Sequence, residues 1–186
     1  MGEASKSFLT NVPPMGIYET LYAFQDAFGT YMGNKGTHPW SQGFPLTTQL
    51  PEGPEMPENI YVNAEDLKYP KAWGLPELRE AIADYYNHYY SAGIDHENIM
   101  VFAGGRPGLI ALLMFLQQDI HIRIAGTEYT PYYDMLRLLK REYSIVESHV
   151  DNSFFPTVQD YVNPVHGDRN LVMLSNPCNP TGVTRT

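Results

Sequence analysis

From residue 99 onward, short apolar runs alternate with segments of helical period, and this alternation restricts the fold more than any other feature. The runs lie at 99–103, 120–125, 143–149 and 171–174, with helix-like segments at 109–116 and 132–140 between them. Strands separated by helices predict a mostly parallel sheet with helices on both faces, because parallel neighbours need a crossover long enough to hold a helix. Upstream, Ile17, Leu21, Phe24, Phe28 and Tyr31 recur at a spacing that places them on one helical face. A second helix is expected over Leu75, Leu78, Ile82, Tyr85 and Tyr89. Gly74 and Pro76 introduce it, Glu77 and Glu80 suit its positive end, and Gly93 is the expected C-cap. Residues 33–58 are rich in Gly, Pro and Thr without a period, and read as a long loop that is functional or embraces another chain.

Composition excludes several classes. There are 21 acidic against 12 basic side chains, a net charge of -9, and no run of Lys or Arg. The phosphate-neutralising surface that nucleic-acid binding requires is missing. One cysteine, Cys178, can form neither an intrachain disulfide nor a thiolate metal site, and a buried, inert thiol inside a rigid turn is expected. The N-terminus has no charged region followed by a long apolar stretch, and no window of about 18 apolar residues occurs later. A cytoplasmic chain with no membrane partner is expected. The length of 186 residues suits one domain. The last apolar run, however, has no covering helix after it, which predicts a chain cut inside its sheet.

Ligands of open parallel sheets bind beyond the carboxyl ends of the strands, so the segment immediately after each apolar run is the place for a site. After 99–103 comes Gly104-Gly105-Arg106-Pro107-Gly108, where backbone N–H groups at a helix start suit an anion, although a plain tight turn explains a Gly-Gly pair equally well. The spacing fits neither the dinucleotide fingerprint nor the P-loop. After 120–125 comes Glu128-Tyr129-Thr130-Pro131-Tyr132-Tyr133. A ring held there can stack on a planar cofactor; Tyr132 and Tyr133 are expected in the core, and Tyr129 on the loop is the better stacking candidate. After 171–174 comes Ser175-Asn176-Pro177-Cys178-Asn179-Pro180-Thr181-Gly182. Its two Asn-Pro steps shape a rigid turn and leave each Asn amide able to donate to a ligand oxygen.

The segment Asn176-Pro177-Cys178-Asn179-Pro180-Thr181-Gly182 matches without mismatch the Asn-Pro-x-Asn-Pro-Thr-Gly signature of class I/II aminotransferases, the fold-type-I pyridoxal-phosphate enzymes. The segment from Tyr69 through Gly74, Pro76, Glu77, Leu78 and Arg79 resembles the family's Tyr-x-x-x-x-Gly-x-Pro-Glu-Leu-Arg pattern. The Gly104–Gly108 turn resembles its phosphate turn, Tyr129-Thr130-Pro131-Tyr132 its aromatic motif, and Trp40-Ser41-Gln42-Gly43-Phe44-Pro45 its early substrate loop. The likeness runs over about residues 15–186. It implies an N-terminal arm and helix over 1–50 and, over 51–186, a partial pyridoxal-phosphate-binding large domain.

The resemblance implies pyridoxal 5'-phosphate as cofactor, an amino acid and a 2-oxo acid as substrates, and a homodimer. It assigns Gly105, Arg106 and Pro107 to the phosphate turn. Here Pro107 has no N–H to donate, and Arg106 stands where a small hydroxyl residue is common and supplies a charge-assisted contact instead. Tyr129 is assigned to stacking on the pyridine, and Asn179 to donation toward the phenolic oxygen. Tyr69 is assigned to the phosphate of the partner subunit's cofactor, an alternative to a wedge against Trp73. Gly43 is assigned to the substrate carboxylate. The family's Schiff-base lysine comes after the signature, whereas the lysines at 6, 35, 68, 71 and 140 precede it and read as surface residues. The chain is therefore expected to be the inactive N-terminal part of an aminotransferase. The alternatives are a fold-type-I enzyme of another reaction (lyase, cyclase or oxidase), a non-catalytic binding protein and, more distantly, a dinucleotide-dependent oxidoreductase.

Overall fold

The computed structural model describes residues 16–39, 52–162 and 169–185. In chain order the elements are α1 (Gly16–Phe28), α2 (Pro76–Tyr90), α3 (Gly105–Phe115), β1 (His121–Ala125), α4 (Pro131–Leu138), β2 (Tyr143–Val146), α5 (Val158–Tyr161) and β3 (Asn170–Met173). They fall into two compact units, one holding the described parts of 1–47 and 117–186, the other the described part of 48–116.

The first unit contains a three-stranded parallel sheet of order β2-β1-β3. Its register pairs Ile124 with Ile145 on one side and with Met173 on the other. Both β1 isoleucines, Ile122 and Ile124, lie on one face of this central strand and are wholly buried, while His121 and Arg123 on the other face are half-buried. Ala125, Val146 and Tyr161 form a buried cluster, which brings the short α5 against the carboxyl ends of β1 and β2. The parallel sheet with helices is the expected fold class, and the last three of the four expected strands are present within about three residues of their expected limits. α1 ends at Phe28, three residues before Tyr31. Gly29, at a φ of 68°, donates its N–H to the Gln25 carbonyl and turns the chain out of the helix.

Two expectations about the second unit are corrected. Residues 99–103 form no strand. Their backbone is committed elsewhere: the Val101 N–H donates to the Trp73 carbonyl at 3.0 Å, and the Ile99 carbonyl accepts from Arg79 Nε at 2.8 Å. An apolar run becomes a strand only where a neighbouring backbone can pair with it, and here a turn and a side chain take those groups. Gly93 is not the C-cap of α2 either. The helix ends at Ser91, whose φ of 50° is left-handed. Asn87 brings the end forward, because its side-chain amide donates to the Ile94 carbonyl and accepts from the Ile94 N–H, at 2.7 and 2.9 Å.

Gly74 is a position where only glycine fits. A Cβ there would lie 2.9 Å from the Val101 Cβ, and its φ is 103°. Gly74→Ala should therefore destabilise the complete natural protein by about 2 kcal/mol, through strain and overpacking together. The midpoint of denaturant unfolding measures this, and an unchanged midpoint would contradict the close approach.

Candidate functional site

The carboxyl ends of β1 and β3 carry the chemistry-bearing loops of the first unit, on adjacent strands. After β1 the chain runs through Gly126, Thr127, Glu128 and Tyr129 into α4. After β3 it runs through Ser175 into the double Asn-Pro turn, where both Asn-Pro peptides are cis. The turn closes on itself: the Gly182 N–H donates to the Cys178 carbonyl at 2.7 Å, and the Cys178 N–H to the Val183 carbonyl at 2.8 Å. Cys178 is buried, with its thiol donating to the Thr127 carbonyl at 3.4 Å, so it serves as packing between the loops.

The two asparagines differ in what they do. The side chain of Asn176 is bound to the backbone of Arg185 in both directions, donating to its carbonyl at 2.9 Å and accepting from its N–H at 2.8 Å. The amide of Asn176 is thus committed to closing the turn rather than to a ligand. Asn179 is exposed, and its backbone N–H donates to Ser175 Oγ at 3.0 Å.

Tyr129 is half-buried, its ring edge-on to that of Tyr132 with centroids 5.3 Å apart. Tyr132 is buried, and the Tyr133 hydroxyl donates to the Ala125 carbonyl at 2.6 Å, so both belong to the core as expected. Burial, aided by the nearby Glu128 carboxylate, pushes the Tyr133 phenol up to about 12. Burial also raises Tyr132 and Tyr161; Glu128 adds to both, while Arg185 opposes the rise at Tyr161.

The Tyr133 shift has a pH consequence with a definite sign. The folded protein keeps this proton up to about pH 12, whereas an unfolded tyrosine loses it near 10. Its contribution to stability is complete below pH 10 and is lost as the pH rises from 10 through 12. Tyr133→Phe should make the alkaline fall in stability shallower without abolishing it, since Tyr132 and Tyr161 share the trend. Denaturant unfolding followed over that range would show this, and an unchanged slope would refute it.

Glu128 carries no functional mark in the sequence, yet it is the centre of the arrangement. Its side chain is fully buried. Oε2 accepts from Ser175 Oγ at 2.6 Å, from the Ser175 N–H at 3.1 Å and from the Tyr129 N–H at 3.2 Å. Arg185 Nη1 lies 3.8 Å from Oε1 and 3.3 Å from the Ser175 carbonyl. The one signal that could have found it is a carboxylate directly after an apolar strand, where burial requires a partner. Nothing in the sequence names that partner.

In the second unit, α3 begins at Gly105. Gly104 occupies the N-cap at a φ of 94° and offers no side-chain cap. The Gly105 N–H has no carbonyl one turn earlier in the helix and Pro107 supplies no N–H, whereas Gly108 is the first residue of the helix with a carbonyl, that of Gly104, one turn before it. Gly105, Arg106 and Pro107 are exposed. A Cβ on Gly108 would lie 2.9 Å from the Phe102 ring, so this glycine is required by packing. Tyr69 has a relative exposure of 102%, which rules out a wedge against Trp73. Arg79, in the Pro-Glu-Leu-Arg segment, is a clamp: besides Ile99 it reaches the His96 carbonyl at 2.5 Å. Gly43 and the 40–45 segment lie outside the described residues. Lys35, Lys68, Lys71 and Lys140 are exposed, Lys68 paired with Glu65, as expected of surface lysines; Lys6 lies outside the described residues.

The sequence profile of the family "Aminotransferase class I and II" matches residues 37–186. The chain belongs to this family. An aspartate aminotransferase of Pyrococcus horikoshii is 26% identical over 112 residues, 60% of this chain and 29% of that protein. Another, of Thermotoga maritima, is 25% identical over 74% of this chain and 38% of its own length. The substrate-bound structure of BacF from Bacillus subtilis superimposes with a TM-score of 0.58 at 26% identity, covering 67% of this chain and 32% of that one. The matched stretches thus take in about a third of the relatives' own length. The solved BacF structure has the fold-type-I architecture, and the parallel sheet of this chain is a part of that fold. No helix among the described residues is long and apolar enough to cross a membrane.

Proposed function

We propose that this chain is the N-terminal part of a pyridoxal-phosphate-dependent aminotransferase that moves an amino group between an amino acid and a 2-oxo acid. The observation that carries the reading is the placement of the Asn-Pro-x-Asn-Pro-Thr-Gly turn at the carboxyl end of β3, beside the Tyr129 loop of β1. This is where a parallel sheet binds ligands. The donor set fits the cofactor: an exposed amide at Asn179 and an aromatic face at Tyr129 suit a planar ring with an ionisable oxygen, while Cys178 and Asn176 are turned to structural use.

When bound, pyridoxal phosphate supplies the electron sink that stabilises negative charge at the α-carbon of the amino acid. The residues of this chain bind and orient. Asn179 donates to the phenolic oxygen and favours its ionised form. Tyr129 offers its ring to the pyridine. Gly105 and Arg106 hold the phosphate by backbone N–H and guanidinium, and Pro107 sets the start of the helix. Gly43 faces the substrate carboxylate. Tyr69, whose full exposure leaves it available, reaches the phosphate of the partner subunit in a homodimer. No lysine of this chain takes part in bond-making: Lys140, for one, precedes β2 and so stands at the amino end of that strand. We further propose the division into an arm over 1–50 and a cofactor-binding part over 51–186, and a cytoplasmic setting.

The test uses the complete natural protein. Incubation with pyridoxal phosphate should produce a visible absorbance band, and an amino acid plus a 2-oxo acid should exchange their amino group. Asn179→Ala should raise the pH midpoint of that band by about one unit, the loss of one hydrogen bond to a charged oxygen. Substrate consumption without amino-group exchange would refute transamination.

A further inference from the structure

We propose that Glu128 is a positioning residue that acts through Ser175 to hold Asn179 in register with the Tyr129 loop. The proposal rests on the aminotransferase reading. A hydroxyl has one proton, and Ser175 Oγ stands between two partners, Glu128 Oε2 at 2.6 Å and the Asn179 N–H at 3.0 Å. A carboxylate only accepts, so the serine proton points to Glu128 and its lone pair is left for Asn179. The direction of the whole chain, Asn179 N–H to Ser175 O–H to carboxylate, is therefore set by the one member that cannot donate.

The same oxygen governs the other loop. Oε2 also takes the N–H of Tyr129, the next residue in sequence, so one atom anchors both the loop that carries the ring and the turn that carries the amide. The side chain of Glu128 is fully buried, which keeps water from replacing any of these bonds. Oε1 accepts no hydrogen bond and faces Arg185 Nη1 at 3.8 Å. Arg185 in turn reaches the Ser175 carbonyl, and its backbone is bound to the Asn176 side chain. The positioning function thus sits on Oε2 and the charge pairing on Oε1.

That division makes the two functions separable in the complete natural protein. Glu128→Gln keeps a carbonyl oxygen for the three donors and places its NH2 toward Arg185. Ser175→Ala and Glu128→Ala break the chain to Asn179. Tyr133→Phe is the control, since it removes an equally short hydrogen bond at the end of β1 without touching Asn179. Two readouts apply: the pH midpoint of the visible absorbance of bound pyridoxal phosphate, and amide hydrogen exchange at Asn179 in the cofactor-free protein.

Ser175→Ala and Glu128→Ala should raise the midpoint by about one unit and speed Asn179 exchange about tenfold, because the backbone N–H that fixes Asn179 loses its acceptor and the side-chain amide that favours the ionised oxygen is no longer held in place. Glu128→Gln and Tyr133→Phe should leave both near wild type. If Glu128→Ala does not fold, Ser175→Ala against Glu128→Gln decides. A wild-type band with an unmoved midpoint in Ser175→Ala overturns the proposal alone. So does a Glu128→Gln shift as large as that of Ser175→Ala, which would assign the effect to charge, or an equal shift in Tyr133→Phe, which would assign it to loosening. A wild-type protein without the band overturns the aminotransferase reading and this proposal with it.

Discussion

Replacing Glu128 by alanine should lower folding stability by about 3–5 kcal/mol, the range for removing one member of a buried ion pair. The carboxylate is fully buried, and its Arg185 partner is only 13% exposed by side chain. Truncation leaves the Arg185 guanidinium without its counter-charge, and the Ser175 hydroxyl and two backbone N–H groups without their acceptor. The loss of packing adds to this. Denaturant unfolding of the complete natural protein checks it. A loss below about 1 kcal/mol, the scale of an exposed pair, would mean that the carboxylate does not anchor the two loops.

Ile124→Ala should cost a comparable amount, about 2–5 kcal/mol. Ile124 is in the central strand, wholly buried, and paired in register with Ile145 and Met173. The strands on either side prevent collapse into the space left by the missing atoms, which places the cost toward the upper end. Val172→Ala in β3 is the comparison: Val172 is 40% exposed, and less of its area is removed from water. About 1 kcal/mol or less is expected there. Equal losses at the two positions would show that β1 is not the centre of the sheet.

Local pattern made much of the fold legible. α2 is marked by Pro76 at its first turn and by apolar residues at helical spacing, and its start lies where that spacing begins. β1, β2 and β3 are marked by apolar runs bounded by polar residues, and the helical period of α4 between β1 and β2 marks a crossover; the short α5 between β2 and β3 has no such mark. The failures have one cause. The run 99–103 has the composition of a strand, but Val101 and Ile99 give their backbone groups to Trp73 and Arg79, each 20 residues or more away in sequence. Gly93 has the composition of a cap, but Asn87 ends the helix earlier by binding Ile94. In both cases a side chain or turn outside the local window took the hydrogen bonds that the local pattern had reserved.

The candidate site divides in the same way. The double Asn-Pro turn, the aromatic loop and the glycine turn at the start of α3 are determined by the sequence itself, because each is a short run whose backbone conformation depends on its own prolines and glycines. Which asparagine is available was decided only by the tertiary structure: both obey the same rule locally and both are exposed, but Arg185, nine residues beyond Asn176, binds the side-chain amide of that one. The importance of Glu128 was likewise invisible in the sequence. Its partner Ser175 is 47 residues away, and the two meet because β1 and β3 lie side by side in a parallel sheet, a pairing that brings their carboxyl ends, and hence these two loops, to one edge.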